Sequence, residues 1–256
     1  MGKIVEVRGI RIGEGIPKIC IPLTGKTKEE ILAAAEKLPA VGTDLVEWRT
    51  DWFEDISDFT KVEEVLRELR RILGNTPLLF TFRTKREGGE KDLGPAEYTA
   101  LNQKAVSCGW IDLVDVELFS GEEAFGKIVA EAHAHGAKVI ASNHDFEKTP
   151  EKDELVRRLR RMQELGADIP KIAVMPNGKK DVLTLLAATE EMSSEYADGP
   201  IITMSMAGEG LISRLCGEVF GSALTFGTAG AASAPGQMDA GDLHAILTLL
   251  HKGMYD

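Results

Sequence analysis

Lys171 stands inside the apolar run Ile169-Pro170-Lys171-Ile172-Ala173-Val174-Met175, which otherwise has the composition of a buried strand. Burial favours the neutral form of an amine, and a neutral lysine can attack a carbonyl and form a Schiff base. The same segment also suits a lysine whose stem is buried while its head reaches water, or one paired with a carboxylate. His144 follows a second apolar run, in Val139-Ile140-Ala141-Ser142-Asn143-His144-Asp145-Phe146. An imidazole there can move protons near neutral pH, or simply hydrogen-bond within a loop. Arg49, Arg83 and Arg214 would add fixed positive charge fit for bidentate capture of a carboxylate or phosphate. Metal chemistry is not expected. His133 and His135 are two apart on a helical stretch and share no face, His244 and His251 fall in the last helical stretch, and no HExxH spacing occurs.

These residues need strands to aim them. Side chains alternate across a strand. In the segment 77–83, Leu78, Phe80 and Phe82 share one face, and Leu79, Thr81 and Arg83 the other. In 110–118, Val114, Val116 and Leu118 oppose Leu113, Asp115 and Glu117. Glu47 and Arg49 lie on one face of 44–49, and Lys171 opposes Pro170, Ile172 and Val174. One face is thus apolar and suits a helix layer. The other turns charged toward the C-terminal ends, which an ion pair explains on one strand and a site explains better on four.

Apolar, β-rich runs recur at 18–23, 44–49, 77–83, 110–118, 137–143, 168–175, 200–206 and 222–227, with helical patterns between them. Thr27 and Glu30 form a capping-box pair. Gly94-Pro95 and Thr149-Pro150 place proline at the first position of two helices, and Gly136 and Gly166 are placed to end two. The repeat predicts a closed (β/α)₈ (TIM) barrel, an α/β fold occupying one domain over residues 1–256. An open doubly wound sheet is the alternative, but no Gly-x-Gly-x-x-Gly turn follows the first strand. The alternating segment from Lys3 to Ile12 predicts a β-hairpin capping one barrel end.

The net charge of -11 argues against nucleic acid or an anionic membrane as partner. Cys20, Cys108 and Cys216 are far apart and odd in number, which suits reduced thiols in a cytoplasm. The N-terminus has no apolar signal region, and no apolar run approaches membrane-spanning length. Two loops remain. Arg83-Thr84-Lys85-Arg86-Glu87-Gly88-Gly89-Glu90 is charged and glycine-bearing, and Ala231-Ala232-Ser233-Ala234-Pro235-Gly236-Gln237 has the small residues of a lid. Gly227-Thr228-Ala229-Gly230 is a weak candidate for holding phosphate, as an aldolase of phosphorylated sugars would require.

In order along the chain, Glu47-Trp48-Arg49, Leu79-Phe80-Thr81-Phe82-Arg83 with Glu87-Gly88-Gly89, Ser142-Asn143-His144-Asp145-Phe146, Pro170-Lys171 to Pro176, and Met204-Ser205-Met206 through Ser213-Arg214 to Gln237 resemble type I 3-dehydroquinate dehydratase. The resemblance runs nearly end to end. It implies a cofactor-free barrel lyase that turns 3-dehydroquinate into 3-dehydroshikimate and works as a homodimer. It implies that Lys171 forms the Schiff base at the C3 ketone, that His144 is base and then acid, and that Glu87 orients this histidine. Arg214 is similar to the carboxylate clamp, with Ser233 and Gln237 closing over the substrate. Glu47, Arg49 and Arg83 resemble the groups around the ring hydroxyls, and Met204, Met206 and Phe226 the apolar walls.

Overall fold

The computed structural model describes residues 4–38, 41–230 and 236–255. A hairpin, β1 (Val5–Val7) and β2 (Ile10–Ile12), opens the chain. The repeat follows as β3 (Lys18–Leu23), α1 (Lys28–Ala35), β4 (Leu45–Arg49), α2 (Phe59–Leu73), β5 (Leu78–Thr81), α3 (Pro95–Ser107), β6 (Leu113–Glu117) and α4 (Glu122–Ala134). It continues as β7 (Lys138–Asp145), α5 (Lys152–Glu164), β8 (Ile169–Val174), α6 (Lys179–Glu191), β9 (Ile202–Ser205), the short helices α7 (Leu211–Leu215) and α8 (Gly217–Phe220), β10 (Leu224–Thr228), β11 (Met238–Asp239) and α9 (Ala240–Tyr255). Strands β3 to β9 pair in parallel in chain order, and β10 pairs with β3. The curled sheet closes where Ile201 bridges Ser222 and the Ala223 N–H donates to Ile201 O at 2.8 Å. This is the expected (β/α)₈ barrel with its hairpin.

Period-two alternation divides the core in two. Val46, Trp48, Phe80, Val114, Val116, Ile172 and Val174 face outward and pack under the helices. On α2, Val62, Val65, Leu66, Leu69 and Leu73 recur at helical spacing and are buried against that layer. Inside the barrel, Leu45, Leu79, Leu113, Ile140, Ile169, Ile202 and Leu224 form a layer near the strands' N-terminal ends. Val5, Val7 and Ile12 of the hairpin join it and plug that end. Of the residues pointing into the barrel interior, those of this layer are apolar, and the charged ones described below stand above it.

Local signals place the strand ends. Thr27 Oγ1 accepts from the Glu30 N–H at 3.3 Å, and the Glu30 carboxylate accepts from the Thr27 N–H, so α1 has its capping box. α3 begins at Pro95 as expected. α5 does not begin at Pro150. Its first residue is Lys152, with Glu151 as N-cap in extended geometry. The proline disfavours helical geometry in Thr149, whose hydroxyl donates to Met175 O at 2.9 Å. His144 also differs from expectation. β7 runs through Asp145, pairing His144 with Ala173 and Asp145 with Val174, so the histidine is a strand residue and not a loop residue. Among the described residues no helix is long and apolar enough to cross a membrane.

Candidate active site

Above the apolar layer a cavity of about 210 Å³ opens at the strands' C-terminal ends. Glu47 and Arg49 reach it from β4, Lys171 and Ala173 from β8, His144 from β7, Met204 and Met206 from and just beyond β9, and Phe226 from β10. Arg83, Glu87, Arg214 and Gln237 complete its polar lining. Of the residues singled out in the sequence, Ser233 lies outside the described residues. The Gly227–Gly230 segment does not line the cavity, and Gly227 packs against Ala240 of α9.

Register sets Lys171 and His144 side by side. Ser142 stands opposite Lys171 on the paired strands, and His144, two residues on, shares its inward side. Lys171 is 3% exposed, so its ammonium is withdrawn from bulk water. Its Nζ lies 3.6 Å from Asp115 Oδ2 and 4.3 Å from the centroid of the Phe226 ring. Of the alternatives left open by the sequence, pairing with a carboxylate is present and a head reaching bulk water is not; the lysine also lines the cavity.

The loop after β5 delivers Glu87. A 3-10 turn, Lys85–Glu87, ends at Gly88 in the left-handed region at φ +83°. The chain then folds back so closely that a Cβ on Gly89 would sit 1.9 Å from Arg83 O, and Gly89 N–H donates to Thr84 O at 2.8 Å. Only glycine fits that return. Glu87 Oε2 thereby accepts from the His144 backbone N–H at 3.0 Å and meets His144 Nδ1 at 3.0 Å. Nδ1 is thus occupied, which leaves Nε2 as the ring nitrogen available to a substrate. Burial, with Arg83, Lys171 and Arg49 nearby, holds the imidazole well below its usual range, so it is neutral at pH 7. Burial and the neighbouring Glu117 push the Glu87 carboxyl up to about 8, against the opposing pull of Arg83.

The arginines are not equally available. Arg49 makes a two-point contact with Asp51, at 2.8 and 2.9 Å. Arg83 meets Asp115 at 2.8 Å, Glu117 at 3.0 Å and Glu87 at 3.6 Å. Burial alone would lower its pKa, but these carboxylates and Glu47 hold it well above the usual range. Arg49 and Arg83 bring the expected fixed positive charge, felt by His144, but each is also paired with buried carboxylates. Arg214 sits on α7, anchored because Ser213 Oγ accepts from the Ser205 N–H at 2.8 Å. Burial pushes its guanidinium down to about 10, which leaves it cationic at neutral pH. On the opposite wall Glu47 accepts from Thr81 Oγ1 at 2.8 Å.

Sequence reasoning put Asp115 and Glu117 on the charged face without naming a role for either, and passed over Asp51 and Ser142. Asp115 and Glu117 share parity on β6, and Ser142 shares parity with His144, so counting by twos was a usable signal. Asp51 had none, because its contact with Arg49 is set by the 3-10 turn Thr50–Trp52. Gly88 and Phe146 also line the cavity, the ring lying where a Cβ on Gly88 would come within 2.3 Å of it. Among the described residues no group of three or more His, Cys, Asp or Glu side chains could hold a metal ion.

A Clostridioides difficile protein named 3-dehydroquinate dehydratase is 56% identical over 254 residues, covering 99% of this chain and 100% of the relative. A crystal structure of type I 3-dehydroquinate dehydratase from Clostridium difficile, with covalently modified comenic acid, matches with TM-score 0.97 at 56% identity over 99% of this chain and 100% of that one. The 3-dehydroquinate dehydratase structure from Geobacillus kaustophilus matches with TM-score 0.95 at 40% identity, each chain covered in full at 100%. The type I 3-dehydroquinase family model matches residues 19–254, and with relatives of this identity along its whole length the chain belongs to that family.

Proposed function

We propose that this enzyme is a hydro-lyase that dehydrates 3-dehydroquinate to 3-dehydroshikimate by syn elimination, through a Schiff base on Lys171. The observation that carries the reading is one cavity shared by a buried lysine, a neutral histidine held by Glu87, and the cationic Arg214. The Lys171 amine attacks the C3 ketone, and water leaves to give an iminium. The iminium draws in electrons as His144 Nε2 takes the proton from C2, giving an enamine and an imidazolium. The enamine then expels the C1 hydroxyl, which leaves as water with the proton from His144. Hydrolysis of the second iminium releases product and restores the lysine.

Each remaining side chain has a place in that scheme. Arg214 holds the substrate carboxylate, joined by Gln237 and Ser233. Glu47, Arg49 and Arg83 fix the ring hydroxyls, and Met204, Met206 and Phe226 exclude water from the reacting carbon atoms. Glu87 keeps the imidazole oriented. The chemistry calls for no cofactor and no metal, because the lysine supplies the electron sink. The covalent ligand in the Clostridium difficile structure supports covalent chemistry in a close relative.

We further propose one catalytic domain over residues 1–256, assembled as a cytoplasmic homodimer. Exposed Ile212, Val219, Leu249 and Tyr255 offer apolar surface for the pairing, and light scattering of the purified protein tests it. Borohydride added with 3-dehydroquinate should leave a reduced adduct on Lys171, found by mass spectrometry. Near-normal turnover by Lys171→Ala would end the proposal. His144→Ala should still form the adduct while losing turnover by roughly 10²–10⁴-fold.

A further inference from the structure

One buried carboxylate touches the reacting lysine and has no part in that scheme. Asp115 on β6 is 0% exposed. Its Oδ1 accepts from Ser142 Oγ at 2.7 Å and meets Arg83 Nη2 at 2.8 Å. Its Oδ2 has no hydrogen-bond partner among the described residues and lies 3.6 Å from Lys171 Nζ. Arg83 does not depend on this carboxylate alone for neutrality, since Glu117 stands 3.0 Å from it. Lys171 does: among the described residues, Asp115 is the carboxylate within ion-pair distance of Nζ. The face of Phe226 lies 4.3 Å from the same nitrogen. An anion and an aromatic face thus converge on one nitrogen, and both stabilise positive charge there.

We propose that Asp115 is the counter-ion of the Lys171 nitrogen throughout the reaction, and that it keeps the imine protonated once the Schiff base has formed. The inference rests on the imine reading above. The charge balance explains the need. When a lysine ammonium condenses with the C3 ketone, two of its protons leave with the ketone oxygen as water. The nitrogen keeps one proton and its positive charge. Transfer of the C2 proton to His144 moves an electron pair into the C–N unit and gives a neutral enamine. Expulsion of the C1 hydroxyl, protonated by His144, returns that pair to the new C1–C2 double bond and restores the iminium. Water then adds to the iminium and regenerates the ketone and the ammonium. The nitrogen is therefore cationic before and after the elimination, and a neutral imine at either stage would stop the electron flow. A fixed anion at 3.6 Å, not hydrogen-bonded to the nitrogen, holds the charge without tying the N–H to one direction.

Cyanoborohydride reduces iminium ions and spares neutral imines, so it reads the protonated fraction directly. Wild-type enzyme and Asp115→Asn are incubated with 3-dehydroquinate and cyanoborohydride from pH 6 to 10, and adduct on the intact protein is measured by mass. The alkaline fall in trapping should move to lower pH by about one unit or more in Asp115→Asn, the size expected for losing an opposite charge at this distance. The alkaline limb of kcat should move with it, while KM changes less than about threefold. Asp115→Glu, which keeps the anion, should bring the fall back toward the wild-type position. Superimposable wild-type and Asp115→Asn profiles overturn the counter-ion role, as do identical Asn and Glu profiles. Should Asp115→Asn fail a thermal-melt test of folding, Asp115→Glu decides alone: a fall displaced by more than about a unit overturns the role. Absence of adduct in wild type with borohydride as well as cyanoborohydride overturns the imine itself, a failure distinct from the others.

Discussion

Both ends of the barrel set arginine beside aspartate, half-buried at one and buried at the other, yet the two clusters do opposite things. At the N-terminal end, Arg70 donates to the backbone oxygens of Trp110, Gly74 and Thr76 at 3.2, 2.9 and 2.9 Å, and to Asp112 at 2.5 Å. Asp112 also accepts from Leu78 N–H at 2.8 Å and pairs with Arg8 of the hairpin at 2.6 Å. Every partner there is backbone or a fixed charge, and Val5, Val7 and Ile12 fill the space beside it. At the C-terminal end the charges surround a hole. Arg83 meets three carboxylates, the imidazole is withheld from protonation, and one oxygen of Asp115 is left facing a lysine. Buried charge clusters are weak sources of stability. The floor spends its cluster on fixing the hairpin, whereas the mouth arranges its cluster around a vacant space that a substrate can enter.

Substitutions at the two ends should separate rate from stability. Lys171→Met should lower turnover by roughly 10⁴-fold or more while changing unfolding free energy by about 1 kcal/mol or less, because Asp115 keeps Arg83 and Ser142. Steady-state kinetics and denaturant titration on the same sample check both halves. Arg70→Ala should do the reverse. It leaves Asp112 short of a partner and three carbonyls open, so about 3 kcal/mol of stability is lost with kcat unchanged. A fall in kcat there would break the division.

Glu87→Gln tests the mouth through pH. The native carboxyl, near 8, keeps a proton that the unfolded chain, near 4.5, has released, so this group costs stability as pH rises through that window. The variant should gain on the order of 2 kcal/mol over wild type at pH 8 and little at pH 5, by denaturant titration at each pH. An equal gain at both would assign it to packing. Smallest of all, Arg8→Ala should cost about 0.5 kcal/mol, since its side chain is 32% exposed and the pair is partly screened.

The strands were legible because burial on two sides writes itself as short β-branched runs, and parity then separated Lys171, Glu47 and Asp115 from their apolar neighbours. Their ends were less legible. Trp110 and Asp112 precede β6, and His144 belongs to β7, since pairing with a neighbouring strand decides where a ladder stops. Pro150 misled because the same residue can precede a helix as well as open it. Partnerships such as Arg83 with Glu117 or Arg49 with Asp51 depend on register and on a local turn, and neither is visible in one chain's spacing. The two-residue strand β11, which lies beside β10 and brings Gln237 to the mouth, is too short to leave a pattern.

The barrel is stitched shut along one seam. Ile201 and Ser222 make a lone bridge there, helped by Ser222 Oγ accepting from the Thr203 N–H at 3.0 Å. By contrast β7 and β8, which carry His144 and Lys171, are laddered along six residue pairs from Ile140–Ile169 to Asp145–Val174. Partial loosening should therefore start at the seam, whose neighbours α7 and β10 bear Arg214 and Phe226. Under mild denaturant the Arg214 side of the cavity should loosen while the lysine and histidine still stand side by side, and Ala223 should exchange its amide proton for deuterium ahead of Ala173.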